Sequence, residues 1–233
     1  MKNATKGKVS ENKKGKTKDK YRFVGPAYDL LSNLYSGRSI HHCKVAMINT
    51  DNIRKGDRIL FAGVGHGLDA VRAAEIGANV TVVDLSETML KQFRQNLKQS
   101  SAKLKIRQVH SDILEFNEFQ KYDMVVANFF LNVFDRETMV RVLEQLVKLG
   151  KPGAKIVVGD FSYPSGNIVS RGFKVLYWYG AVLFFWLTAR NAVHNIYNYP
   201  EHMEQLGLVI QEKKHYRLGI INCYWSVLGQ KPA

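Results

Sequence analysis

Between residues 57 and 158 the chain alternates two hydrophobic rhythms. Short apolar runs predict five strands: Asp57-Arg-Ile-Leu-Phe-Ala62, Asn79-Val-Thr-Val-Val83, Lys105-Ile-Arg-Gln-Val109, Met124-Val-Val-Ala127 and Ala154-Lys-Ile-Val-Val158. Amphipathic stretches separate them. A helical pattern covers residues 68–76, and Ser86 N-caps a second helix with Glu87 and Thr88 in its first turn. Residues 135–149 place Met139, Val142, Leu143, Leu146 and Val147 at i, i+3, i+4 spacing, and Lys151-Pro-Gly153 predicts the stop before the fifth strand. Continuous Val/Ile runs mean strands buried on both faces, and their alternation with helices demands right-handed crossovers. The expected fold is α/β, a doubly wound sheet, with Leu208-Val-Ile210 and Tyr224-Trp-Ser-Val-Leu228 as two terminal strands.

Two stretches break this rhythm. Residues 26–49 read as one or two short helices, and residues 164–200 as a long hydrophobic insertion. The insertion contains thirteen uncharged residues from Val175 to Leu187, flanked by Lys174 and Arg190. As a helix they would reach only about 20 Å, short of a ~30 Å hydrocarbon core. Apolar all round, such a helix is either buried over the sheet or laid against something greasy.

Composition fits one globular domain: 233 residues, 45% hydrophobic, 23% charged. It excludes a collagen-like, disulfide-framed or wholly disordered chain. Cys43 and Cys223 have no ligand-type spacing, so they read as free thiols in a reducing compartment, and no metal is expected. The net charge is +14, and residues 1–20 concentrate eight lysines against Glu11 and Asp19. With almost no apolar side chains, that segment cannot offset its ordering entropy. We expect a disordered basic arm at 1–20 and a folded domain at 21–233. The arm suits an anionic membrane surface, nucleic acid, or simple solubilisation. No apolar run follows the lysines as in a secretory signal, so the expected location is cytoplasmic.

Gly63-Val-Gly65-His-Gly67 stands where the first strand gives way to a helix, a place where glycines let backbone approach a ligand. Asp84, 21 residues after Gly63, ends the second strand, where a carboxylate suits a ribose diol. A dinucleotide fingerprint would want glycine at position 68, which is Leu68, and the chain has no G-x-x-x-x-G-K-[ST] phosphate loop. G-x-G-x-G in this position resembles the class I S-adenosylmethionine-dependent methyltransferases. His110-Ser-Asp112 after the third strand, Asn128-Phe-Phe-Leu-Asn132 after the fourth and Lys151-Pro-Gly153 before the fifth extend the likeness over roughly residues 25–230. Tyr28-Asp-Leu-Leu-Ser-Asn-Leu34 and Asp160-Phe-Ser-Tyr-Pro164 are similar to segments of the ubiquinone/menaquinone C-methyltransferases and related phospholipid N-methyltransferases.

The resemblance implies a Rossmann-like, mostly parallel seven-stranded sheet with an antiparallel C-terminal strand and helices on both faces. It implies S-adenosylmethionine as cofactor, held by Gly63, Gly65, His66, Gly67, Asp84, Leu85, Asp112, Ile113, Asn128 and Tyr28. It also implies a small, lipophilic acceptor of quinol or phospholipid type. The insertion would then wall its pocket near a membrane interface, and the basic arm would meet anionic lipid at the inner face of the membrane. Residues 190–199, dense in polar and aromatic groups, suit either a pocket for one polar head or a satisfied polar seam.

The chain departs from the family at Phe61, two positions before Gly63, where an acid normally helps hold the cofactor's amino group. If the acceptor must lose a proton, His194 and His110 are candidate bases and Asp160 an orienting or proton-accepting carboxylate. Their plainer roles are a helix cap, a strand-end surface group and a turn. Two other functions stay open. Nucleic-acid methylation is prompted by the arm but opposed by the lack of an N-P-P-[YFW] motif at Asn128. A non-catalytic adenosyl-ligand-binding protein is prompted by Phe61.

Overall fold

The structure, a computed structural model, describes residues 38–99, 104–189 and 196–233, excluding the side chains at 99 and 181–189. The basic arm at 1–20, Tyr28 with its segment 28–34, and His194 lie outside the described residues. In chain order the elements are α1 (Ser39–Val45), β1 (Arg58–Ala62), α2 (Leu68–Ile76), β2 (Asn79–Asp84), α3 (Glu87–Gln99), β3 (Arg107–His110), β4 (Tyr122–Asn128), α4 (Arg136–Leu149), β5 (Gly150–Phe161), α5 (Ile168–Ala189), α6 (Tyr199–Gln205), β6 (Val209–Leu218) and β7 (Ile221–Gln230).

The strands form one sheet in the order β3-β2-β1-β4-β5-β7-β6. β1 to β5 are mutually parallel, and β7 runs antiparallel between β5 and β6. This is the expected doubly wound sheet with its antiparallel C-terminal strand. Because side chains alternate across a strand, β1 feeds two cores. Ile59 and Phe61 join Ala70, Ala73, Leu90 and Phe93 beneath α2 and α3. Leu60 and Ala62 join Met139, Val142, Leu143 and Leu146 of α4 and Met203 of α6 on the other face. Capping fixes where helices begin: Ser86 Oγ accepts from Met89 N at 3.2 Å, and Asp135 Oδ1 accepts from Thr138 N at 2.9 Å.

Three boundaries differ from the expected ones. Lys151-Pro-Gly153 is not a turn ahead of β5 but an irregularity inside it. Tyr122 pairs with Gly150 and Met124 with Lys155, so the extra residues loop out with Gly153 at φ 76°. β6 and β7 are ten residues each, longer than the apolar runs that announce them. α5 begins at Ile168, seven residues before the uncharged run.

Candidate functional site

The C-terminal tips of β1 to β5 share one edge, and chain direction diverges between β1 and β4, the place where open α/β sheets bind ligands. The glycine loop and Asn128 flank that crevice. Gly63, Gly65 and Gly67 all have positive φ, at 75°, 47° and 70°. A Cβ on Gly63 would sit 2.6 Å from the Phe130 ring, and one on Gly67 would enter the Phe93 ring. Only glycine satisfies both backbone and packing at these two positions. His66 lies half-buried between Gly65 and Gly67.

Asp84 is fastened to this loop. Its Oδ2 accepts from Val64 N and its Oδ1 from Ser86 N, both at 2.8 Å. The neighbouring tip carries Asp112, whose Oδ1 accepts from Leu114 N at 2.9 Å and so fixes a short turn. Leu85 is exposed beside Asp84, an apolar side chain at the rim of the crevice. Ile113 packs its side chain into the α4 core, which leaves only its backbone for a ligand. The loop, Asp84 and the rim fit an adenosyl group: backbone close approach, a carboxylate for a diol and an apolar edge.

His110 stands on this side of the crevice, away from the β5 tip. Its Nε2 meets Leu85 O at 2.9 Å, its Nδ1 lies 3.6 Å from Glu87, and its side chain is 52% exposed. Four strand intervals, roughly 19 Å, separate it from the β5 tip. His110 and Asp160 therefore cannot serve one acceptor together.

At the β5 tip Asp160 is fully buried. Oδ1 accepts from Phe161 N at 2.7 Å and Asn132 Nδ2 at 3.0 Å, and Oδ2 from Tyr199 OH at 3.0 Å. Burial pushes its carboxyl up to about 7, against the lowering effect of these bonds. Enclosed in this way, the carboxylate holds Asn132 and Tyr199 in place. Tyr199 is buried with it, and its hydroxyl is pushed well up by burial and by Asp160.

Beside this network stands an aromatic cluster. Phe129, Phe161, Tyr177, Trp178 and Tyr224 lie with ring centroids 4.7–6.2 Å apart. Tyr177 and Tyr224 also join through their hydroxyls. Phe129 holds φ 52°, a conformation unusual for a non-glycine residue, with its N–H on Gly159 O at 2.6 Å. Helix α5 packs here through Trp178, which is 4% exposed, and Lys174. Its outer side leaves Ile168 86%, Val169 77% and Leu176 74% exposed.

Sequence reasoning missed two residues at the crevice. Asp69, in the first turn of α2, is only 8% exposed, and its Oδ2 accepts from Asn128 Nδ2 at 2.8 Å. Lys44 of α1 accepts from the same Nδ2 through its carbonyl at 2.9 Å, and its Nζ reaches to 3.7 Å from where a Gly65 Cβ would lie. A signal for Asp69 exists: it stands four positions before buried Ala73, on the inward face of α2. Among the described residues no group of three or more His, Cys, Asp or Glu is arranged to hold a metal. Cys43 and Cys223 are free and buried.

Comparison with known proteins agrees with this architecture. Residues 59–153 match a methyltransferase domain family. The chain is 31% identical to the demethylmenaquinone methyltransferase of Clavibacter sepedonicus over 166 residues, 70% of this chain and 65% of that protein. It is 30% identical to the ubiquinone/menaquinone biosynthesis C-methyltransferase UbiE of Pseudomonas aeruginosa over 173 residues, 71% of this chain and 66% of that protein. The match thus spans just under two thirds of these relatives' lengths. The fold is shared with the Burkholderia thailandensis 1,6-didemethyltoxoflavin-N1-methyltransferase, solved with S-adenosylhomocysteine: TM-score 0.66, 14% identity, 92% of this chain and 87% of that one. Residues 59–153 thus match a methyltransferase domain, and the chain is similar in sequence to ubiquinone/menaquinone C-methyltransferases over about 70% of its length.

Proposed function

We propose that this protein transfers a methyl group from S-adenosylmethionine to a lipophilic acceptor of quinol type at a membrane surface. When bound, the cofactor would supply an electrophilic sulfonium methyl, open to in-line attack by the acceptor with S-adenosylhomocysteine as the leaving group. The protein's part is chiefly orientation, which can lower such a barrier by up to roughly 7–11 kcal/mol. Gly63, Gly65, His66 and Gly67 would carry the cofactor's backbone contacts, Asp84 its ribose, and Leu85, Asp112 and Ile113 the rim around its base. Asn128 would border the methyl-bearing end, and Tyr28 would cover it.

On the acceptor side the aromatic cluster offers a flat, water-excluding wall. Asp160 acts there as a positioning residue that orders Asn132 and Tyr199. His194 is the proposed base for an acceptor that must lose a proton. His110, tied to Leu85 and Glu87, is assigned to the cofactor side.

One observation carries the acceptor class: α5 buries Trp178 against the site's aromatic cluster while turning Ile168, Val169 and Leu176 outward. Exposed apolar surface of this kind marks an interaction site. Among the described residues no helix is long and apolar enough to cross a membrane, so α5 would lie along the interface. The basic arm at 1–20 would add attraction to anionic lipid. The relatives named for demethylmenaquinone and ubiquinone/menaquinone methylation support the quinol.

The test is turnover with S-adenosylmethionine and, in separate anionic vesicles, a demethylated quinol or an aminophospholipid. S-adenosylhomocysteine release with a methylated quinol is the expected result. Methylated lipid would move the acceptor to an amine, and cofactor binding without turnover on either would leave a binding protein.

A further inference from the structure

Phe61 puts no carboxylate at the end of β1, where the resemblance places an acid for the cofactor's amino group. Phe61 faces the α2 side of the sheet, packed among Val64, Ala70 and Phe93. An acid there would project into the same layer that α2 occupies. Asp69 rises from the first turn of α2 on that side, directly after the glycine loop, and is 8% exposed. A carboxylate this buried needs partners, and Asn128 supplies one. The Asn128 amide is held in one orientation, since its Nδ2 serves both Asp69 Oδ2 and Lys44 O. Its Oδ1 is left buried with no partner against Gly159, where a Cβ would collide with it. Leaving that oxygen unsatisfied is costly, and the arrangement it secures is an anchored carboxylate and an anchored Lys44 backbone.

The Lys44 ammonium completes the arrangement. It lies over the Phe129 ring at 5.6 Å and next to Gly65, and the ion pairs among the described residues do not include it. An amino-acid zwitterion presents an ammonium and a carboxylate a few atoms apart. The crevice presents a buried carboxylate in the first turn of α2 and an ammonium beside Gly65.

We propose that Asp69, anchored by Asn128, and Lys44 bind the amino-acid end of the cofactor. Asp69 receives the α-ammonium and Lys44 the α-carboxylate, in place of the acid lost at Phe61. This rests on the reading of the crevice as an adenosyl site.

Two ligands separate the claims. S-adenosylhomocysteine carries the amino-acid end, whereas 5′-methylthioadenosine has the same adenosyl part without it. Calorimetric titration of the full chain should show Asp69→Asn and Lys44→Met each weakening S-adenosylhomocysteine about tenfold to a hundredfold. Both variants should hold 5′-methylthioadenosine within about twofold of the parent. Lys44→Met keeps the apolar stem, so it reports even if Asp69→Asn loses its melting transition. Unchanged S-adenosylhomocysteine affinity in both variants overturns the proposal, and so does equal weakening of both ligands, which would mean general distortion. A parent protein that binds neither ligand overturns the adenosyl reading itself along with it.

Discussion

The two halves of the crevice are built from different material. From β3 to β1 the surface lining the crevice is mostly backbone: three positive-φ glycines, a carboxylate clamped by Val64 N–H and Ser86 N–H, and an Asx turn at Asp112. From β4 to β7 it is side chain: a buried Asp160–Asn132–Tyr199 network and a ring of aromatics gathered from four separate segments. Backbone geometry tolerates few substitutions and suits a ligand that never changes. A surface of side chains can be re-lined, and it suits the half that meets a variable acceptor. Perturbing each half should therefore give different signatures.

The largest pH-dependent effect is expected on the side-chain half. Below about pH 4 Asp160 is protonated whether the protein is folded or not. Between about pH 4 and the folded value of about 7, the folded state keeps a proton that the unfolded chain has released. Stability should therefore fall as pH rises through that window, by as much as about 4 kcal/mol, and level off above it. Asp160→Asn keeps acceptors for Phe161 N–H and Asn132 and cannot ionise. Urea unfolding at pH 5 and pH 8 should show the variant with the flatter profile. An unchanged slope would put the pH dependence elsewhere.

In the backbone half the signature is steric. Gly67→Ala combines a left-handed backbone with collision against Phe93, so a loss of about 3 kcal/mol is expected in denaturant melts. Gly65→Ala has the backbone strain alone, since only the tip of Lys44 lies near, and should lose about 1 kcal/mol. Equal losses would contradict the packing argument. Asp84→Ala should weaken S-adenosylhomocysteine by about 2 kcal/mol, roughly thirtyfold. Unchanged affinity would remove Asp84 from the ribose contact.

The same division governs what was readable from the sequence. The positive-φ glycine loop and the Asp84 carboxylate that clamps it are legible because both follow from local backbone at known places in a strand–loop–helix unit. The central strands are legible because burial on both faces leaves uninterrupted Val/Ile runs. β6 is obscured by its own edge position: Glu212, Lys213, Lys214 and His215 interrupt the apolar signal in a strand that is otherwise paired along its length. Asp69 is hidden by a second legitimate reading, since an acid in a first helical turn complements the helix dipole. No local pattern brings Asn132, Asp160 and Tyr199 together. Their meeting depends on β4, β5 and α6 converging at one end of the sheet.

The smallest effect on stability, and the sharpest test of the acceptor half, is on the outward side of α5. Ile168 and Leu176 contribute little to the core, so replacing both with Ser should change unfolding free energy by no more than about 0.5 kcal/mol. If these side chains enter a lipid interface, the same pair forgoes about 1.5–3 kcal/mol of burial each, and binding to anionic vesicles should drop by well over about tenfold in flotation. Trp178→Ala acts in the opposite sense: it opens a cavity beside Phe161 and Tyr224, destabilises by about 3–5 kcal/mol, and leaves the outward side chains in place. A helix that merely roofs the site would respond to Trp178 and ignore Ile168 and Leu176. One that docks on lipid must respond to both, each in its own assay, and vesicle binding that survives the double Ser variant would leave α5 a roof.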